Sequence, residues 1–352
     1  MEEKHGWKRL CHLPMALLLI TFVAIIIGGT IRINDAGESC PDWPRCFGTW
    51  GFDVSEDEQQ SWYLDNPDEI DSRGQGKTYT TFEIFIEWFH RLWTGLILGP
   101  LCILQWVITF RKRREMPAVH RASGIALCMV IFQGILGYFT VKYDNIHWSV
   151  AAHLLGSMAL SISLLWAWIR WMEVDGVLPK WMQLEKSYAI RKKPRLYDLS
   201  ISTLLVMLLG SLVAAIEGAN QACSVGTFSA WPLCHGGVMP DAAGMASHLH
   251  ITHRFAVLGV GIWLITNLIN ISKDERTSIR PLLHAGVGFY MLNVFIGGAY
   301  LLTWDSKDGF VEHLSLFHLI LGSFSFLSIA FAALLAKNSS EQEILLVLNE
   351  EE

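Results

Sequence analysis

The sequence predicts an all-α integral membrane protein. Its eight transmembrane helices form two tandem four-helix bundles, related by a pseudo-two-fold axis along the membrane normal. Three observations carry this. Hydrophobic residues make up 52% of the 352-residue chain and charged residues only 17%. Eight apolar stretches approach or exceed the roughly 20 residues that a helix needs to cross a bilayer. The second half repeats the order of features of the first.

The stretches run approximately over 14–31, 82–108, 119–140, 148–170, 198–217, 248–271, 282–303 and 313–336. Several contain Gly, Ser, Thr or Trp, which serve close helix packing and anchoring at the membrane interface. The first follows a basic start but has no small-residue cleavage site, so it is expected to be a retained helix. No Arg-rich, acid-poor leader precedes it, which points to a bacterial cytoplasmic membrane.

Lys and Arg set the orientation. With the N-terminus inside, the inner segments hold Lys4, Lys8, Arg9, the run Arg111 to Arg114, Arg121, the cluster Arg191, Lys192, Lys193 and Arg195, and Lys273, Arg276 and Arg280. The outer loops hold fewer: Arg32, Arg45, Arg73, Lys77, Lys142 and Lys307. Both termini are therefore expected in the cytoplasm. Much of the net charge of −6 sits in the first outer loop, at Asp53, Glu56, Asp57, Glu58, Asp65, Asp68, Glu69 and Asp71. That stretch reads as a solvated loop or as a docking face for a basic redox partner. Nothing in the chain points to nucleic acid.

The outer loops also hold cysteine pairs, Cys40 with Cys46 and Cys223 with Cys234, while Cys11, Cys102 and Cys128 are cytoplasmic or within helices. Pairs confined to the oxidising side predict two disulfides. Each either staples its loop or, in the short Cys40–Cys46 loop above all, exchanges electrons.

The repeat places one domain over 1–171, an inner linker over 172–197, a second domain over 198–337 and a cytoplasmic tail over 338–352. His90-Arg91 corresponds to His253-Arg254, and His153 to His318; the intervals 90 to 153 and 253 to 318 differ by only two residues. His90 lies about eight residues into its helix, roughly 12 Å deep at 1.5 Å per residue. The other three lie at similar depth in the outer half.

A lone buried histidine is most often a hydrogen-bonded core residue. Four at matched depth on paired helices point instead to two planar cofactors held by axial imidazoles, and haem fits an apolar bundle. Zinc fits less well, because no compact ligand set surrounds any of them. Arg91 and Arg254 pair either with haem propionates or with a loop carboxylate.

The halves differ at one point: Glu87 lies three residues before His90, whereas His250 occupies the equivalent place before His253. Glu87 is a catalytic proton donor or charge stabiliser, or else a partner of Arg91 four residues on. His248 and His250 read as interfacial, and Glu83 as a headgroup-region residue.

These residues together resemble the haem A synthase family. Its order is followed by Gly28-Gly29-Thr30-Ile31-Arg32, Cys40/Cys46, Glu87-Trp88-Phe89-His90-Arg91, Gln133-Gly134-Ile135-Leu136-Gly137, His153, Cys223/Cys234, His253-Arg254 and His318. The first outer loop, about 47 to 80, is long and acidic for a bacterial member. The resemblance implies oxidation of the C8 methyl of haem O to the formyl of haem A, by successive hydroxylations and loss of water, for use in terminal oxidases. It implies a resident haem b on His253 and His318, and haem O facing His90 and His153 with Glu87 near the reacting methyl. Cys40 and Cys46 would then take part in electron delivery, with Cys223 and Cys234 structural. A haem O synthase as supplier and a membrane electron donor or acceptor also follow, and homo-oligomerisation stays open. A dihaem quinol-reacting cytochrome b is the alternative, disfavoured because such proteins place haems toward opposite faces.

Overall fold

In the computed structural model, residues 10–69, 74, 76–143, 145–238, 244–272 and 279–350 are described, with side chains left aside at 272 and 342–350. Lys4, Lys8, Arg9, Asp71, Arg73, Lys273 and Arg276 lie outside them. Helix α1 spans Leu13–Ile33, α2 Glu56–Asp65, α3 Thr81–Leu92 and α4 Gly99–Arg111. Helix α5 spans Pro117–Lys142, α6 His147–Val174, α7 Lys186–Ala215, α8 Met245–Ser272, α9 Arg280–Leu302 and α10 Glu312–Glu350. Helices α3 and α4 are one continuous span joined by a π-helical segment, Trp93–Leu98. Among the described residues eight spans are long and apolar enough to cross a membrane, and no strand forms beyond isolated bridges.

The helix starts follow from the sequence. Prolines open α1, α5 and α9, where the missing N–H costs nothing. Thr80 and Glu83 form a capping box at the start of α3, so Glu83 is a helix-capping residue. Helix α7 begins at Lys186, so much of the expected linker 172–197 is helical, and α10 continues through the expected tail.

Helix α1 packs against α3, α4 and α6, and α5 lies on α6. In the second half α7 packs on α8 and α10, and α9 on α8 and α10. The halves meet where α6 touches α7 and α10, and where α1 touches α10. Near the C-terminal end of α6 this junction holds a buried polar bracket. Arg170 donates to Asn338 at 2.8 Å and pairs with Glu173 at 2.6 Å, while Asn338 donates to Glu173 at 3.2 Å. With its hydrogen bonds made inside the protein, the bracket ties α6 to α10, where a buried arginine left unpaired would be costly.

Both expected disulfides form, Cys40–Cys46 and Cys223–Cys234. Each closes a loop reading Trp-Pro-x-Cys-x-Gly, at 43–48 and 231–236. In each a single bridge follows the second cysteine, Cys46 to Thr49 and Cys234 to Gly237.

Residues 47–69 and 76–80 fold back over the first disulfide. Phe47 meets the rings of Trp62 and Tyr63 edge-on at 5.6 and 5.7 Å, within a cluster that includes Cys40, Cys46, Val54, Tyr79 and Ile84. Gln59, fully buried, donates to the carbonyls of Val54 and Tyr79 and accepts from the Tyr79 N–H at 2.8 Å. Trp88 of α3 donates to the Trp50 carbonyl at 2.7 Å, which pins this cap to the membrane domain. The acidic residues from Asp53 to Glu69 all lie on its exposed side. Ser55 bonds to Glu58 hold that carboxyl below its ordinary value.

Candidate functional site

The four histidines stand six to nine residues in from the starts of α3, α6, α8 and α10, which is about 9 to 14 Å along a helix at 1.5 Å per residue. Successive crossings alternate direction, so these four starts share one face. Each imidazole remains partly accessible at that depth, which requires open space beside it.

That space comes from glycines on the neighbouring helices. In the first half, a methyl group added at Gly28 of α1 would lie 3.8 Å from His90 Nε2, and one at Gly137 of α5 would lie 3.8 Å from His153 Cε1. In the second half, a methyl at Gly210 of α7 would lie 3.0 Å from His253 Cε1, and one at Gly297 of α9 would lie 2.8 Å from His318 Cε1. The same pairing of glycine and histidine thus recurs in both halves. Gln133 donates to the His153 carbonyl at 3.0 Å and fills the notch at Gly156.

His253 and His318 line a common cavity of about 750 Å³. Most of its wall is apolar, including Val257, Leu258, Ile262, Met291 and Val294. This is the size and character of a pocket for a large apolar ligand. His318 Nδ1 contacts the Asn293 carbonyl at 3.0 Å; a carbonyl only accepts, so Nδ1 carries the proton and Nε2 is left as a ligand. His253 Nδ1 and, in the first half, His153 Nδ1 are buried without a hydrogen-bond partner. Among the described residues no cluster of three or more His, Cys, Asp or Glu could hold a bare metal ion. Paired imidazoles flanking an apolar cavity suit a haem instead.

Glu87 is 4% exposed. Its Oε1 accepts from Arg91 at 2.6 Å and its Oε2 from the Ser39 hydroxyl at 3.1 Å. Arg91 also donates to the carbonyls of Cys40, Asp42 and Arg45 at 2.6 to 2.7 Å. It therefore clamps the disulfide loop over the histidine. Arg254 does the same in the second half, donating to the Leu233 carbonyl and contacting His250 Nε2 at 3.2 Å. Arg45 and Leu233 each immediately precede the second cysteine of their pair.

His250 lines the cavity and is 5% exposed, whereas His248 is exposed. Cys40 and Cys46 are both fully buried beneath the cap. Sequence reasoning missed the arginine clamps and the roles of Gly210, Gly297 and Asn293. The shared Trp-Pro-x-Cys-x-Gly loop was the available signal for the clamps.

A family model described as cytochrome oxidase assembly protein matches residues 12–306, most of the chain. The chain belongs to the COX15-CtaA family of cytochrome oxidase assembly proteins. Similar proteins include a heme A synthase of Shouchella clausii, 26% identical over 93% of this chain and 97% of its own length. Another from Shewanella oneidensis is 26% identical over 80% of this chain and 84% of its own. A third, from Exiguobacterium, is 25% identical over 89% of each. The COX15-CtaA match takes in His90, His153 and His253 and ends before His318, which the geometry alone joins to the set.

Proposed function

We propose that this protein is a haem A synthase, oxidising the C8 methyl of haem O to the formyl of haem A. Its two halves would be copies of one four-helix unit with divided roles. His253 and His318 hold a resident haem b in the C-terminal cavity; His90 and His153 face the substrate. The observation that carries the division is the unequal surroundings of the two pairs: an ion-paired carboxylate, Glu87, adjoins the first, and a histidine, His250, adjoins the second.

Bound haem iron would supply the oxidising chemistry. The chain supplies placement and protons. Glu87 sits one turn before His90 on the same face, so its carboxyl can hold or give up a proton beside the substrate site. Arg91 and Ser39 fix its two oxygens, which costs no reorganisation when charge develops nearby. The placement of all four histidines toward one face weighs against a dihaem electron wire across the membrane.

The basic segments around Arg111 to Arg114 and Arg191 to Arg195 support cytoplasmic termini, with the histidines and disulfides on the outer side. The supplier of substrate is then a haem O synthase, and the electrons of the oxidation are exchanged with a membrane donor or acceptor. Expression in a bacterium that makes haem O but not haem A tests the activity. Extracted haem A, identified by mass, is expected with this chain present, and its absence in cells that accumulate the protein would refute the reading.

A further inference from the structure

The C-terminal cavity is not built from C-terminal residues alone. Arg32 and Asp35, from the end of α1 and the turn after it, line its wall together with Tyr300 and Glu312. Arg32 crosses the boundary between the halves and donates to the Ala214 carbonyl at the end of α7. What brings it there is a close approach at Gly29: a methyl added at that residue would lie 2.6 Å from Leu316 Cδ1 and 3.0 Å from Leu319 Cδ2. Those leucines flank the His318 position on α10. The neighbouring Gly28 faces His90 of the other pair. The last two turns of α1 therefore touch both sites at once.

We propose that Arg32, carried by the N-terminal half, neutralises a carboxylate of the macrocycle bound in the C-terminal cavity. The inference rests on the haem reading given above. A macrocycle ligated by His253 and His318 has apolar walls around most of its edge, and an ionised carboxylate buried there would be costly. Its two propionates must point to the outer mouth. That mouth already holds Asp35 and Glu312, the latter accepting a hydrogen bond from Tyr300 at 3.3 Å. A ligand carboxylate arriving there meets like charges unless a cation intervenes. Arg254 and Arg32 are the arginines among the lining side chains. Arg254 already grips the disulfide loop and His250, whereas Arg32 stands exposed at the mouth with donors beyond the one given to Ala214. A guanidinium matches a carboxylate in two parallel hydrogen bonds.

The test uses purified full-length protein in detergent. Haem release to excess apomyoglobin and the midpoint potential of the bound haem are measured for wild type, Arg32→Gln and Arg32→Lys. Arg32→Gln is expected to release haem about tenfold faster and to lower the potential, because an uncompensated carboxylate favours ferric iron; Arg32→Lys should fall between. Reconstitution with haem dimethyl ester removes the carboxylates, and there wild type and Arg32→Gln should release alike. Equal release of free-acid haem by the two, or a difference that persists with the ester, would overturn the role of Arg32. A wild type that binds no haem would overturn the haem reading itself.

Discussion

Arg91 and Glu87 form an ion pair at 2.6 Å, one helical turn apart and with His90 between them in sequence. The same guanidinium holds three carbonyls of the Cys40–Cys46 loop. Disulfide loop, buried carboxylate and histidine are thus one connected unit, and the first two predictions follow from cutting it at different points.

Glu87→Gln keeps the shape and the Ser39 contact but removes the ionisable proton. General acid–base groups contribute about 10²- to 10⁴-fold, so conversion of haem O should fall by at least ~100-fold. Haem b content should stay at the wild-type level. Haem extraction from the variant reads both quantities, and wild-type haem A output would remove the catalytic role.

Arg91→Met leaves Glu87 buried without its cation. Breaking a buried pair from one side costs about 3–5 kcal/mol. The double variant with Glu87→Gln should recover part of that loss, because no orphan charge remains. Thermal unfolding in detergent across the four proteins of the cycle measures the coupling, and strictly additive losses would contradict it.

Gly297→Ala places a methyl 2.8 Å from His318 Cε1, so the imidazole must move off its bond to the Asn293 carbonyl. Bound haem b should drop severalfold. Gly288→Ala on the same helix meets nothing within 4 Å and serves as the control. Equal haem content in the two variants would show that the glycine does not set the histidine's position.

Gln59→Ala removes three hydrogen bonds that close the cap over the first disulfide. Each buried group left unsatisfied costs about 1–3 kcal/mol. Reduction of Cys40–Cys46 by a water-soluble phosphine should accelerate about tenfold or more, since 1.4 kcal/mol is a factor of ten. Cys223–Cys234 lies outside the cap and should keep its rate. Mass analysis after alkylation separates the two bridges.

The eight spans were legible in the sequence because an apolar run of that length has few other uses, and their ends fell where Pro14, Pro117 and Thr80 start helices. The matched depth of the four histidines and the two disulfides were equally readable from spacing and compartment. The clamps were not. Arg91 meets carbonyls 46 to 51 residues away, through a loop conformation that no periodicity encodes. His250 looked superficial because counting residues into a helix gives depth but not the direction a side chain faces. The cap read as a solvated acidic loop or a docking face, since its charges outnumber the few aromatic residues that fold it.

The most direct test of the division between the two histidine pairs compares His90→Ala and His253→Ala, each purified from cells that make haem b and haem O, with the bound haems extracted and identified by mass. His90→Ala should retain haem b and lose haem O and haem A, while His253→Ala should lose haem b. The same haem complement in both variants would contradict that division.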